Sequence, residues 1–398
     1  MKNVLIFRSD WDPRFSYPNQ RDSLLAVLGK YFPEVIVVTP DRQVAEFNAD
    51  IPWQVEGDDW LQKIKKKTEK NYFLVNFTRI DNVFYSDQII CGIAFPWDFD
   101  VLPKDLDKSL SKMDFFIVPS KFQENIVKEK IPQSNIFLIP VFLSKNPFIE
   151  KPLNLPVIDV DLSIGKGEIS RLTIPFSDIT KRERPVFYFF MDDFFQNGFN
   201  PLISEWIQYR KDDGNGVLII KTPSFFKKDN SSGMIYEIID SIYRLMRRNR
   251  IFSLNIYVIT EELTNLDEIS ILNSVDASIL FMLGKGLSEK ILNSLFSGKM
   301  LLTIDNPVIL SFLPEGYPLI FQGQEENCSF FRTSSFYSMD HCWHIPIEGE
   351  LSRVLKKFYA MQPQEIKYLE SLLVNRKKAM SNLDSIPSKF LTFIGYHR

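Results

Sequence analysis

Short, continuous apolar runs recur along the chain, and the segments between them carry helical spacing; this alternation constrains the fold more than any other feature. The first set is Val4–Phe7, Val35–Val38, Phe73–Phe77, Ile89–Phe95, Phe115–Val118 and Ile136–Ile139. Runs this short, apolar at every position and not at every second one, are the pattern of strands buried on both faces, as in a parallel sheet. Between the first two runs, Asp22-Ser23 precedes Leu24, Leu25, Leu28 and Tyr31, an N-cap signal followed by apolar residues at helical intervals, and Pro33 closes the segment. Strand, helix and strand in such a short stretch make a βαβ unit. Leu102–Lys112 and Ser120–Lys130 are predicted as further helices.

From Glu150 to about Pro185 the texture changes: Pro152, Pro156, Pro175, a Gly165-Lys166-Gly167 turn and a charged run from Lys181 to Arg184 read as a connecting region with short extended pieces. Alternation then resumes. Val186–Phe190, Val217–Ile220, Leu254–Ile259, Ala277–Met282 and Met300–Ile304 are predicted strands, with helices around Pro201–Tyr209, Met234–Met246 and Glu289–Phe296. Arg244, Arg247, Arg248 and Arg250 gather at the end of the second of these helices, where they complement its dipole. The expected organisation is an α/β domain over residues 1–150, a connection over 151–184, a second α/β domain over 185–375, and a tail over 376–398 that can cross back to the first domain. Two open parallel sheets in sequence place ligand crevices at the carboxyl ends of their strands, and the gap between two such domains suits a nucleotide-containing ligand.

Composition narrows the partners. Among 398 residues, 47 Lys and Arg stand against 50 Asp and Glu, a net charge of −3 that gives no basic excess for nucleic acid. With 45% hydrophobic and 24% charged residues the chain is a folded globular one, and 35 phenylalanines make its cores aromatic-rich. Cys91, Cys328 and Cys342 form no CxxC pair, so neither a disulfide framework nor a zinc ribbon is expected, and a reducing cytoplasmic setting is the simplest expectation. The apolar run at Val4–Phe7 meets Arg8 too soon for a signal peptide, and nothing approaches a membrane span. Peripheral attachment to the inner face of a membrane stays open. No cluster with metal-ligand spacing is present, so neither metal nor cofactor is expected.

The most informative stretch runs from Ala277 to Gly298: a strand, the loop Leu283-Gly284-Lys285-Gly286-Leu287, a helix opened by Ser288-Glu289, and a glycine stop. Backbone N–H groups at such a helix start can hold a phosphate or pyrophosphate, although any strand-to-helix turn in an α/β domain uses a glycine and a cap. In its surroundings this stretch resembles the donor-binding segment of GT-B glycosyltransferases, in particular the retaining family 4 type. Other pieces follow in the same order: Phe95-Pro96-Trp97-Asp98-Phe99-Asp100-Val101-Leu102-Pro103, Val118-Pro119-Ser120-Lys121-Phe122 and Ile136–Val141 resemble that family's acceptor-side series. Ser204 to Lys221-Thr222 resembles its L-x-x-K-T strand end, and Trp343-His344-Ile345-Pro346 its W-x-x-P element. The resemblance implies two Rossmann-like domains facing each other across a cleft, and metal-independent transfer of a sugar from a nucleotide-sugar co-substrate to a hydroxyl. The implied acceptors are a glycan, a lipid-linked glycan or a protein, in surface polysaccharide assembly.

The departures are specific. Lys285 and Asn293 stand where the family has the two glutamates of its E-x7-E signature, and no basic residue lies at Gly198–Pro201, where its Arg-Lys pair would fall. The resemblance thus implies donor contacts from Lys221, Thr222, Lys285, Gly286, Leu287, Ser288, Glu289 and Asn293, with the two lysines as the cations facing the diphosphate leaving group. On the acceptor side the candidates are Asp10, Arg14, Trp97, Asp98 and Ser120, with Asp98 as general base. Asp98 and Asp10 serve equally as loop or helix caps, and each lysine equally as a strand-end surface residue. All three histidines, His341, His344 and His397, lie late in the chain. Two other readings stay open: a catalytically degenerate GT-B protein acting as a binding or regulatory subunit, and another nucleotide-dependent α/β enzyme.

Overall fold

The computed structural model describes residues 2–9, 18–39, 54–57, 61, 70–77, 83–94, 110–139, 155–160, 173–181, 183–190, 199–212, 214–222, 242, 244, 253–261, 263–280, 293–295, 297–327, 342–381 and 387–395. The first seven strands are β1 (Lys2–Ser9), β2 (Glu34–Thr39), β3 (Gln54–Gly57), β4 (Lys70–Phe77), β5 (Ile90–Ala94), β6 (Phe115–Val118) and β7 (Asn135–Leu138). They form one sheet in the order β3-β2-β1-β4-β5-β6-β7, parallel throughout. The chain starts in the middle, builds outward on one side, then returns to build the other, so the order reverses between β1 and β4.

Residues of β1 alternate between two buried faces. Leu5 and Phe7 pack with Leu24, Leu25 and Leu28 of α1 (Pro18–Gly29), and Val4 and Ile6 share the other face with Ile126 and Val127 of α2 (Lys121–Lys130). The first helix begins at Pro18, four residues ahead of the Asp22 that the sequence suggested as its cap. Proline suits a first helical turn because its missing N–H has no partner there.

The second sheet comprises β8 (Pro156–Asp159), β9 (Thr173–Pro175), β10 (Val186–Phe190), β11 (Val217–Lys221), β12 (Ile256–Ile259), β13 (Ala277–Leu280), β14 (Met300–Ile304) and β15 (Ile320–Phe321). Its order is β15-β14-β13-β10-β11-β12-β8-β9, parallel from β15 to β12. The reversal falls between β10 and β13. β8 pairs antiparallel with β12, and β9 antiparallel with β8. Part of the segment predicted as a connection therefore widens this sheet, and α3 (Phe176–Thr180) buries Phe176 and Ile179 beneath it. That face also holds Ile271 and Leu272 of α5 (Asn265–Ser274), a helix opened by a capping box between Thr264 and Asp267.

The opposite face is covered by α4 (Phe199–Lys211), α7 (Glu350–Ala360) and α8 (Pro363–Ser381), which bring Trp206, Phe358 and Leu373 onto Phe187 and its neighbours. Between β14 and β15 lies the short α6 (Pro307–Leu310). The α7 helix opens on Gly349 at φ 86°, a left-handed conformation that glycine adopts without strain and that offers no side-chain cap. The cap comes from α4: buried Glu205 accepts from the N–H of Gly349 at 2.5 Å and of Ser352 at 3.0 Å. A two-stranded ribbon of β16 (Gly323–Asn327) and β17 (Cys342–Pro346) follows β15.

The last helix, α9 (Ser388–Phe393), packs on the first sheet. Phe390 meets Phe137 edge-on with ring centroids 4.9 Å apart and Phe115 at 6.1 Å, and the Asn3 side chain donates to the Ile394 carbonyl at 2.6 Å.

Two stability outcomes follow. Glu205→Ala strands two N–H groups and is expected to destabilise the second domain by about 1–3 kcal/mol, whereas Glu205→Gln, still an acceptor, costs less; denaturant unfolding compares them. Phe390→Ala removes a fully buried ring and is expected to cost the first domain about 3–5 kcal/mol, leaving the transition of the second unchanged.

Candidate functional site

In a doubly wound sheet every loop that follows a strand leaves from the carboxyl edge, and the crevice opens where the strand order reverses. Here those points are β1/β4 in the first sheet and β10/β13 in the second. The two edges meet at one seam. α2 begins just past the end of β6, α6 just past the end of β14, and these helices touch; Phe122, in the first turn of α2, packs against the cores of both sheets.

On the second sheet, Lys221 ends β11 directly beside Phe190, the last residue of β10, and beside Ile259, the last of β12. Its side chain is only 3% exposed, and its Nζ donates to the Thr222 carbonyl. A lysine this buried is held at the strand end and is not a solvated surface residue. Thr222 is fully buried, its N–H and hydroxyl both donating to the Ile259 carbonyl at 3.0 and 3.2 Å. Asn293 lies half-buried in a helical turn over 293–295. Lys285, Gly286, Leu287, Ser288 and Glu289 lie outside the described residues.

On the first sheet, Ser120 is buried as the N-cap of α2. Its hydroxyl accepts from the Gln123 N–H at 3.3 Å, which accounts for its place at the strand end by helix capping. Asp10, Arg14, Trp97 and Asp98 lie outside the described residues. The structure thus places Lys221 and Thr222 at the carboxyl end of β11, one strand from the β10/β13 reversal, and Ser120 at the seam. It adds two buried arginines that sequence reasoning did not select: Arg8 near the end of β1 and Arg21 in the first turn of α1, each 4% exposed. Their chemical type in a position patterned for burial was the available signal.

A second feature missed from sequence is a pair 39 residues apart. Asp305 follows β14 directly. Its Oδ1 accepts from the Gly323 N–H at 2.8 Å and lies 2.5 Å from His344 Nε2. A Cβ on Gly323 would stand 2.6 Å from the His344 ring, so glycine is what lets the ribbon lie this close. Among the described residues no group of three or more His, Cys, Asp or Glu side chains is placed to hold a metal ion, and no helix is long and apolar enough to cross a membrane.

No protein-family model matches the chain, and no curated protein matches it by sequence. Solved structures do match in fold. An α,α-trehalose-phosphate synthase (UDP-forming) from Burkholderia vietnamiensis superposes with a TM-score of 0.60 at 8% identity, covering 100% of this chain and 99% of that one. The E. coli trehalose-6-phosphate protein bound with UDP-2-fluoro glucose gives 0.58 at 10% identity and 99% coverage of both chains. A Thermobaculum terrenum O-GlcNAc transferase mutant gives 0.58 at 9% identity, covering 99% of this chain and 68% of that one. The fold is therefore the two-domain GT-B architecture.

Phe122→Ala is expected to weaken the seam by about 1–3 kcal/mol, less than a fully buried phenylalanine costs. Each sheet's own core is left in place, so scanning calorimetry should show the unfolding transition broaden or split into two.

Proposed function

From a GT-B fold built over the whole chain, we propose that this protein is a glycosyltransferase that takes a sugar from a nucleotide-sugar donor held at the carboxyl edge of the second sheet. The observation that carries the reading is Lys221, a cation buried at the carboxyl end of β11, one strand from the β10/β13 reversal. Breaking the bond between sugar and diphosphate puts negative charge on the leaving oxygens. A fixed ammonium in a site of low dielectric favours that charge most as it develops, and so lowers the barrier. Lys285 is the second candidate cation, and the N–H groups of Gly286 to Glu289 the candidate cradle for the diphosphate. Thr222 and Asn293 complete the proposed donor side.

The acceptor hydroxyl belongs to the first domain in this reading, with Asp98 taking its proton and Asp10, Arg14, Trp97 and Ser120 along the same side. A glycan, lipid-linked glycan or protein acceptor in surface polysaccharide assembly, at the cytoplasmic face of a membrane and without a metal, is the role the sequence resemblance supports. A second reading has its own support: Lys285 and Asn293 replace both glutamates of the motif that the loop otherwise resembles. It makes the chain a degenerate GT-B protein that binds or regulates without transfer.

Calorimetric titration of the full chain with UDP, GDP, TDP, CMP and their sugars tests both. Saturable binding of one nucleotide sugar, weakened at least about tenfold in Lys221→Met and accompanied by slow hydrolysis, is the expected result. Binding without hydrolysis or transfer selects the second reading, and no binding to any of them overturns the donor site.

A further inference from the structure

We draw no further inference here: the strongest candidate, the buried polar cluster of Arg8, Ser9, Thr39 and Arg21 at the carboxyl ends of β1 and β2 and the first turn of α1, belongs to the site already described.

Discussion

Two parallel sheets that bury both faces must each be covered by helices on both sides, and this requirement organises the whole chain. A parallel strand has no hairpin return, so each connection crosses a face and leaves a helix there. The covering is completed late in the sequence. α7 and α8 close one face of the second sheet with Leu351, Phe358 and Leu373, and α9 closes one face of the first with Phe390. Neither core is complete until the end of the chain has folded back. The same requirement puts every strand-to-helix loop at the carboxyl edge, so the layers fix where a ligand can sit before any particular side chain does.

Two carboxylates show how a side chain ties separate elements together. Glu205 sits in the interlayer, with both oxygens taken by backbone N–H groups at the start of α7. Burying a carboxylate is costly unless it is fully bonded, and here the bonds go to orphan donors that a glycine N-cap cannot satisfy. Asp305 uses the same chemistry on one oxygen only and stands at the edge of the sheet, not within a layer. The first ties two helices together. The second ties the ribbon to the end of β14.

Much of the fold was legible because its strands are apolar without interruption. β1, β2, β4, β6, β10, β11 and β14 each coincide with a run visible in the sequence. β3, β8, β9 and the β16–β17 ribbon were not, since strands such as Gln54–Gly57 and Gly323–Asn327 are short, polar and set by their neighbours. Glu205 was illegible as a buried group for a related reason: a glutamate within a helix reads as solvent-facing, and its cap partner lies about 145 residues away. In the site, Lys221 and Thr222 could be read from a strand end, a local signal. Asp305 and His344 could not be paired, because their meeting depends on the ribbon's register and on Gly323 letting it lie close.

At 8–10% identity the fold extends over whole chains whose residues are almost all different. Core packing tolerates this: side chains of suitable volume and pattern reproduce the layers, so shared architecture requires very little shared sequence. The same tolerance strips the fold of functional content, since the layers say where a site lies and nothing about what it does. What this chain does is therefore carried by polar groups at the carboxyl edges and not by the layers. Arg8, Arg21, Lys221 and Asp305 are of that kind, and they fall on both sides of the seam that Phe122 closes. Under the proposed glycosyl-transfer reading, buried cations on both edges are the groups that would meet the donor's diphosphate.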